Sequence, residues 1–313
     1  MDEKTYIYEV YKERSFSAAA KNLFVSQPAL STSVKKAEQA LGITIFDRST
    51  SPISLTEEGK LYIASLERIM KIEAETKERL SDLSEGRTGK ITVSGENFVA
   101  SFILPSIIMA FSDRYPGITV ELVESNSPEL RRELLTDSID LLIAHDFDPA
   151  LYTAVALFDE ALLLAVPADL AINRQLGAYA LSLADVQAGR HLSKDGRAVD
   201  LRVFSKENFL LLKQGNDMYH RSEKLCAAAG FEPQARIRLD QLITSYNLAC
   251  AGMGIAFVSD KLVERAGGQN CVYYRLSGEH AVRRMYIGYK RSRYVSRACT
   301  AFVETAKEVY AEK

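Results

Sequence analysis

The chain has 313 residues, enough for two or three domains. Apolar residues make up 47% and charged residues 26%, a balance that excludes a disordered or fibrous chain and fits a globular one with a packed core. The formal net charge of −2 excludes a uniformly basic nucleic-acid binder, so any such surface must be a local patch.

The chain opens MDEKTYIYEV, which carries acids and lacks the basic-then-apolar order of a secretion signal. No later run approaches the roughly 20 apolar residues of a membrane span. A cytoplasmic location without a membrane partner is therefore expected. Residues 2–14 read as a helix with Tyr6, Ile7, Val10 and Tyr11 facing inward. Ser17 is the expected cap of a short second helix through Ala18, Ala19 and Ala20, which ends at Leu23. Phe24-Val25 makes a tight turn. Ser26 then caps a third helix, with Pro28 in the first turn where its missing N–H costs little. Leu30, Val34, Ala37 and Leu41 form its apolar stripe, and Gly42 stops it.

This order of helix, short helix, turn and helix is the helix-turn-helix plan, whose second helix enters the major groove by its N-terminal residues. Gln27, Ser31 and Lys35 share a polar face, and a glutamine there can pair with adenine. Arg14 to Lys36 includes Arg14, Lys21, Lys35 and Lys36 and no acid, so the basic patch is local and suited to phosphate. Ile43 to Thr56 reads as two short strands around Ser49-Thr50-Ser51-Pro52, a wing beside the helix. Arg48 could reach a phosphate or the minor groove from there, or instead form a structural ion pair with an acid such as Glu38. The candidate DNA-binding set is Ser26, Gln27, Pro28, Ser31, Thr32, Lys35, Lys36 and Arg48.

The run SFSAAAKNLFVSQPALSTSVKKAEQALGITIFDRS, followed by ISLTEEG, resembles the DNA-binding domain of the LysR-type transcriptional regulators over about 45 positions. The resemblance rests on Ser15-Phe16-Ser17, Ala19-Ala20, Leu23, Val25 to Ser31, Leu41-Gly42, Phe46, Arg48, Leu55-Thr56 and Gly59. It implies base or phosphate contacts from Gln27, Pro28, Ser31 and Arg48. Many members carry a basic residue where this chain has Thr32, and another at the wing tip where it has Ser51. Both departures point to an altered sequence preference.

Thr56 can cap the next helix, with Glu57 and Glu58 placed well for its positive end. The helix is expected to run to about Leu83. Tyr62, Leu66, Ile69, Thr76, Leu80 and Leu83 fall near coiled-coil spacing, and a helix of about 40 Å needs something to cover that stripe. The resemblance implies the same helix of a second subunit, packed antiparallel; packing on its own C-terminal part is the alternative. A two-fold dimer predicts an interrupted palindrome in the DNA. Tetramers are typical of the family. Ser84 to Gly89 reads as a hinge.

From Lys90 strands alternate with helices: Ile91–Val93, a helix from Phe102 to Tyr115, Ile118–Val123, a helix starting at Ser127-Pro128-Glu129, and Asp140–Ala144. Such βαβ units imply a parallel sheet flanked by helices. Near Ala161 the chain is expected to enter a second lobe, with strands at Ala161–Val166, Phe209–Leu212 and Ala235–Leu239 and a helix over about 217–229. Cys271–Leu276 and Arg284–Tyr289 are expected back in the first lobe, before a last helix from Tyr294 to Glu312.

Two further stretches, FILPSIIMAFSDRYPGITVELVESNSPELRRELLTDSIDLLIA and AAAGFEPQARIRLDQLITSYNLACAGMGIAFVSDKL, resemble the family's effector domain more loosely. The expected fold is thus mixed: an all-α winged helix-turn-helix with a long linker helix, then a two-lobed α/β domain like type 2 periplasmic binding proteins. The expected divisions are 1–58, 59–88 and 89–313, with lobe one at about 89–160 and 268–313 and lobe two at 161–267.

In open α/β sheets a ligand sits beyond the strand carboxyl ends, by helix N-termini. That rule selects the loop Gly95 to Ser101 after the first strand, with Glu96, Asn97, Phe98 and Ser101, then Asn126 and Ser127 after the second, His145 at a strand end, and the loop Gln214 to Asp217 in the second lobe, with Gly215 and Asn216. Glu96 would repel an anion, which favours a small effector of mixed or positive charge, such as an amino-acid-like molecule; a Glu96 that merely faces water is the alternative. No catalytic residue, metal site or cofactor is expected. Gly252-Met253-Gly254 lies before a strand and after a helix, the reverse of a dinucleotide fingerprint. His145, His191, His220 and His280 are scattered, and Asp146 and Asp148 read as solvated acids. Cys226, Cys250, Cys271 and Cys299 form no CxxC pair and read as reduced thiols, with a redox-sensing pair left open. An α/β binding protein or enzyme whose N-terminal part serves only for assembly is the alternative to a regulator.

Overall fold

The computed structural model describes residues 3–83, 88–125, 139–193 and 196–311. The chain divides into two compact units, Met1–Leu80 and Ser81–Lys313. Asn126 and Ser127, and the helix expected to start there, lie outside the described residues.

In the first unit, α1 (Glu3–Glu13) buries Ile7 and Val10. Arg14 then adopts a left-handed backbone with φ 49°, which ends α1 and delivers Ser15 in an extended conformation. Ser15, two residues earlier than expected, is therefore the cap of α2 (Phe16–Asn22), and its hydroxyl accepts from the Ala18 N–H. Ser17 is an exposed residue inside the helix. Phe24 makes the turn at φ 55° and projects into solvent. Ser26 caps α3 (Gln27–Leu41) by accepting from the Ala29 N–H, and Gly42 ends it in the left-handed region. Leu30, Val34 and Ala37 face the core as the stripe predicts, but Leu41 stays exposed in the last turn.

The wing is minimal: β1 (Phe46–Asp47) pairs antiparallel with β2 (Ser54–Leu55). Thr56 accepts from the Gly59 N–H and so caps α4 (Glu57–Leu83). A Cβ on Gly59 would lie 2.1 Å from the Ile45 carbonyl oxygen, so only glycine lets α4 start this close to the wing. Ile63 and Leu66 of α4 join the head's core. Leu61, Ile69, Ile72 and Leu80 remain exposed, on one side of the helix within roughly 100° of arc. Leu66 is thus a core residue of its own head and not part of the exposed stripe.

Among the described residues the second unit has ten strands, joined in one sheet through β6. In the first lobe, β3 (Gly89–Glu96) pairs parallel with β4 (Ile118–Ser125) and β5 (Leu141–Ala144). Between β3 and β4 lie α5 (Asn97–Phe102) and α6 (Leu104–Arg114). One helix from Phe102 was expected; Pro105, in the first turn of α6, breaks it instead, and most of the supposed loop 95–101 is helix.

β6 (Tyr152–Pro167) is one 16-residue strand rather than a strand starting at Ala161. Its first half mixes half-buried and exposed residues and pairs with β12 (Val282–Lys290). Its second half is wholly buried and pairs with β10 (Ile255–Ser259) and β11 (Cys271–Arg275). β6 therefore carries the chain from lobe to lobe, partly covered at first and then buried on both faces.

In the second lobe come β7 (Ala180–Leu181), α7 (Leu183–Gln187), β8 (Asn208–Leu212), α8 (Asp217–Ala228), β9 (Gln234–Leu239), α9 (Leu242–Cys250) and α10 (Asp260–Ala266). β8 is flanked by β9 and β10, both parallel. β11 pairs with β6 and β7 in this lobe, and Tyr273, Tyr274 and Leu276 belong to its core. Residues 271–276 thus stay in the second lobe, contrary to expectation: sequence shows a strand but not its partner. β12 alone makes the return, followed by α11 (Arg297–Ala311) on the first lobe's core. Arg265 of α10 donates to Ser106 and Tyr310 of the first lobe, each at 3.1 Å.

Candidate functional site

Two surfaces collect the residues singled out by sequence. The first is the N-terminal half of α3. The side chains of Gln27, Pro28, Thr32, Lys35 and Lys36 are exposed, as is the cap Ser26; Ser31 is half-buried. Among these, Arg48 has a different role from a free phosphate ligand. Its guanidinium donates to Ser31 Oγ at 3.2 Å and to Glu38 Oε2 at 3.1 Å, and lies over the Phe16 ring at 4.8 Å. Glu38 is itself buried, and its other oxygen accepts from the Ile45 and Phe46 N–H groups at 2.8 and 3.2 Å. The fork of Arg48 therefore ties the wing to α3 and orients the Ser31 hydroxyl, while its half-exposed side chain still reaches the surface.

The second surface is the cleft between the lobes. Glu96, Asn97 and Phe98 meet Leu212, Asn216, Asp217, Met218, Asp240, Gln241, Leu242 and Arg283 around a cavity of about 60 Å³. That holds a few water molecules at most. Asn216 caps α8 by accepting from the Met218 N–H at 2.9 Å. Arg283 pairs with Asp217 and donates from Nε to Glu160 Oε2 at 2.5 Å. Glu160 is fully buried on β6 and also accepts from Arg221 at 3.1 Å. Burial alone would raise the Glu160 carboxyl, but Arg283, His145 and Arg221 outweigh it and hold it far below the usual range. His145 Nε2 lies 3.8 Å from Glu160. Burial, with Arg283 beside it, pulls the His145 imidazole down to about 3, so it is neutral near pH 7.

Two other features gather polar groups or open a hollow. His191, Asp260 and Glu264 converge closely enough to suggest a metal. The Lys261 ammonium lies 3.3 Å from Asp260 and 2.8 Å from Glu264, so a cation of the chain already answers both carboxylates. A larger hollow of about 550 Å³ on the outer side of the second lobe is lined by the last turns of α8 and by Leu276 to His280. Its lining mixes Ala227, Ala228 and Ala229 with Asp200, Lys224, Glu279 and His280.

Residues 2–60 match the bacterial regulatory helix-turn-helix protein, lysR family, and residues 84–311 match the LysR substrate binding domain. The chain belongs to the LysR family. It is a DNA-binding transcriptional regulator with the family's substrate-binding domain. This LysR-family chain is 27% identical over 307 residues to the uncharacterized HTH-type transcriptional regulator YcgK of Bacillus subtilis, covering 97% of this chain and 92% of the relative. It is 24% identical to the DNA-binding transcriptional dual regulator OxyR of Escherichia coli, over 81% of this chain and 76% of that one. Among solved structures it resembles a full-length OxyR variant from Pseudomonas aeruginosa (TM-score 0.69, 22% identity, 99% and 95% coverage). It also resembles full-length CbnR in complex with its target DNA (TM-score 0.62, 21% identity, 99% and 100% coverage).

For a LysR-family protein the two sites were unequally visible in sequence. The candidate DNA residues fall together on one helix edge. Of the candidate effector residues, Glu96, Asn97, Phe98 and Asn216 line the cleft. Ser101 points to solvent from α5, and Gly215 is exposed beside the cap; neither lines the cavity. His145 lies behind the cavity, against Glu160. Asp217, from the loop Gln214 to Asp217 read as part of the cleft, lines it too. Sequence reasoning missed Arg283, Asp240 and Gln241. Gln241 had a usable signal, since it stands next to a helix start.

Proposed function

We propose that this regulator reads double-stranded DNA with Gln27, Pro28, Ser31 and Thr32, steadied on phosphate by Lys35 and Lys36. The observation that carries this is the exposed polar and basic edge at the start of α3, held in register by Glu38 and Arg48. Ser26 serves as the cap that presents the helix, and Arg48 acts chiefly by orienting Ser31. The stripe of Leu61, Ile69, Ile72 and Leu80 on α4 suits pairing with a second copy, which would set two heads on an interrupted palindrome. On this reading residues 1–58 form the head, 59–88 the linker and the rest the effector unit. The protein acts in the cytoplasm as a regulator rather than as a catalyst.

The effector reading rests on the charges around the cleft. Glu96, Asp217, Asp240 and Arg283 line the cavity, and Lys213, which is not among the lining residues, pairs with Asp240 at 2.8 Å. This favours a small molecule bearing an amine, whose own carboxylate would displace Asp217 from Arg283. A cavity of about 60 Å³ is too small for such a ligand, so binding must part the lobes, and an effector that prefers the open state shifts the equilibrium toward it. The test is fluorescence anisotropy of the full chain on the DNA upstream of its neighbouring gene, with and without amino acids or simple carboxylates. Salt-sensitive binding, altered by an amino acid, is the expected result. No salt-sensitive affinity for any duplex overturns the DNA reading, and tighter binding of plain carboxylates overturns the amine reading.

A further inference from the structure

Away from both sites, two thiols meet on the second lobe. Cys250 ends α9 and Cys271 opens β11, and their sulfurs are 3.4 Å apart. Both residues are partly exposed, whereas Cys226 and Cys299 are buried.

The pairing is built by two local periodicities. Tyr246 and Cys250 are four apart on a helix, and Cys271 and Tyr273 are two apart on a strand, so each pair shares a face. Beneath the sulfurs the fully buried Tyr246 and Tyr273 bring their hydroxyls to 2.5 Å. The loop at Gly268 clamps both rings: its N–H donates to Tyr246 Oη at 3.1 Å and its carbonyl accepts from Tyr273 at 3.2 Å. A Cβ on Gly268 would lie 2.8 Å from Cys250 Sγ, so a glycine is what lets the loop pass over the sulfur.

We propose that Cys250 and Cys271 are a peroxide-oxidisable thiol pair that closes to a disulfide between α9 and β11. The sulfurs need to approach by roughly 1.4 Å to reach bonding distance. The Cys271 thiol donates to Cys250, which holds Cys250 below the ordinary thiol range against the effect of burial, and the same contact pushes Cys271 up. Cys250 is therefore the attacking thiolate. It forms an S–O bond to one peroxide oxygen as the O–O bond breaks, and the departing hydroxide takes up the thiol proton to leave as water. Cys271, giving up its proton, then attacks the sulfenyl sulfur; the S–S bond forms and the second oxygen leaves as water. Two thiols and one hydrogen peroxide become one disulfide and two waters. The first turn of α9, at Leu242, lines the cleft, so the pair sits one helix length from it.

The test treats the reduced full-length chain with hydrogen peroxide, then alkylates and digests it with trypsin. The expected product is residues 239–261 linked to residues 266–275, 2 Da lighter than the two free-thiol peptides together, on a chain that still runs as a monomer without reductant. Dithiothreitol should abolish it, and C250S or C271S should lack it. The wild-type peptides suffice even if a variant folds poorly. Both thiols alkylated at a peroxide dose that oxidises glutathione would overturn the proposal. So would Cys250 accumulating as sulfinic acid, a link through Cys226 or Cys299, or a covalent dimer.

Discussion

The head and the cleft solve the recognition problem in opposite ways. The head's proposed reading residues come from eleven consecutive positions, Ser26 to Lys36, on an exposed helix edge whose core lies on the other face. The cleft draws its walls from residues 96–98, 212, 216–218, 240–242 and 283, and Arg283 among them belongs to a network with Glu160, Arg221 and Asp217. Function and folding are thus separable in the head and entangled in the cleft.

The strongest test of that contrast is Glu160→Gln. It removes a buried charge and leaves Arg221 and Arg283 facing each other, so it should destabilise the second unit by about 3–5 kcal/mol. Urea melts would report this; a midpoint within error of wild type would mean the network is dispensable and the contrast is wrong.

Next in size is the acid response. His145 is held near 3 against an ordinary value of 6.5, so the unfolded chain takes up that proton first as pH falls. Stability is full above about pH 6.5 and drains through the window down to about 3, by an amount on the order of a few kcal/mol. Glu160, with its value also lowered, adds to the loss below its ordinary 4.5. His145→Gln should flatten melting temperature against pH between 6.5 and 4.5, and an unchanged slope there would place the titrating group elsewhere.

In the head the expected effects move to binding. Gln27→Ala should weaken the best duplex by about 1–3 kcal/mol and relax preference at one base pair, while the melting temperature stays put because the side chain is exposed. A matching loss of stability would make the head as entangled as the cleft. The smallest effect belongs to Lys35→Ala: a uniform weakening on all sequences, with the slope of log affinity against log salt reduced by about 0.9. An unchanged slope would take Lys35 off the phosphate backbone.

How much of this was legible follows the reach of the interactions. Ser26, Pro28, the Leu30–Val34–Ala37 stripe and Gly42 define α3 through contacts within one or two turns, so they can be read in order along the chain. The misplaced cap at Ser17 shows the limit: the left-handed Arg14 that hands the role to Ser15 leaves no mark in composition. Arg48 had two open readings, and the structure shows the second, the ion pair to Glu38, with a hydrogen bond to Ser31 that sequence did not suggest. Arg283 could not be nominated at all, because nothing near it in sequence connects it to Glu96. Cys250 and Cys271 carried only half a signal, a Tyr four residues before one and a Tyr two residues after the other.

The order of residues alone determined the helix-turn-helix, the long α4 and the alternation of strands and helices, since caps, stripes and glycine stops act over a few residues; the LysR family was legible beside them as a resemblance of whole sequence runs. Tertiary structure alone decided that β11 stays in the second lobe, that Arg283 lines the cleft, and that two distant thiols touch. Strand pairing and buried ion pairs are contests among far-separated partners, and only the folded chain holds them.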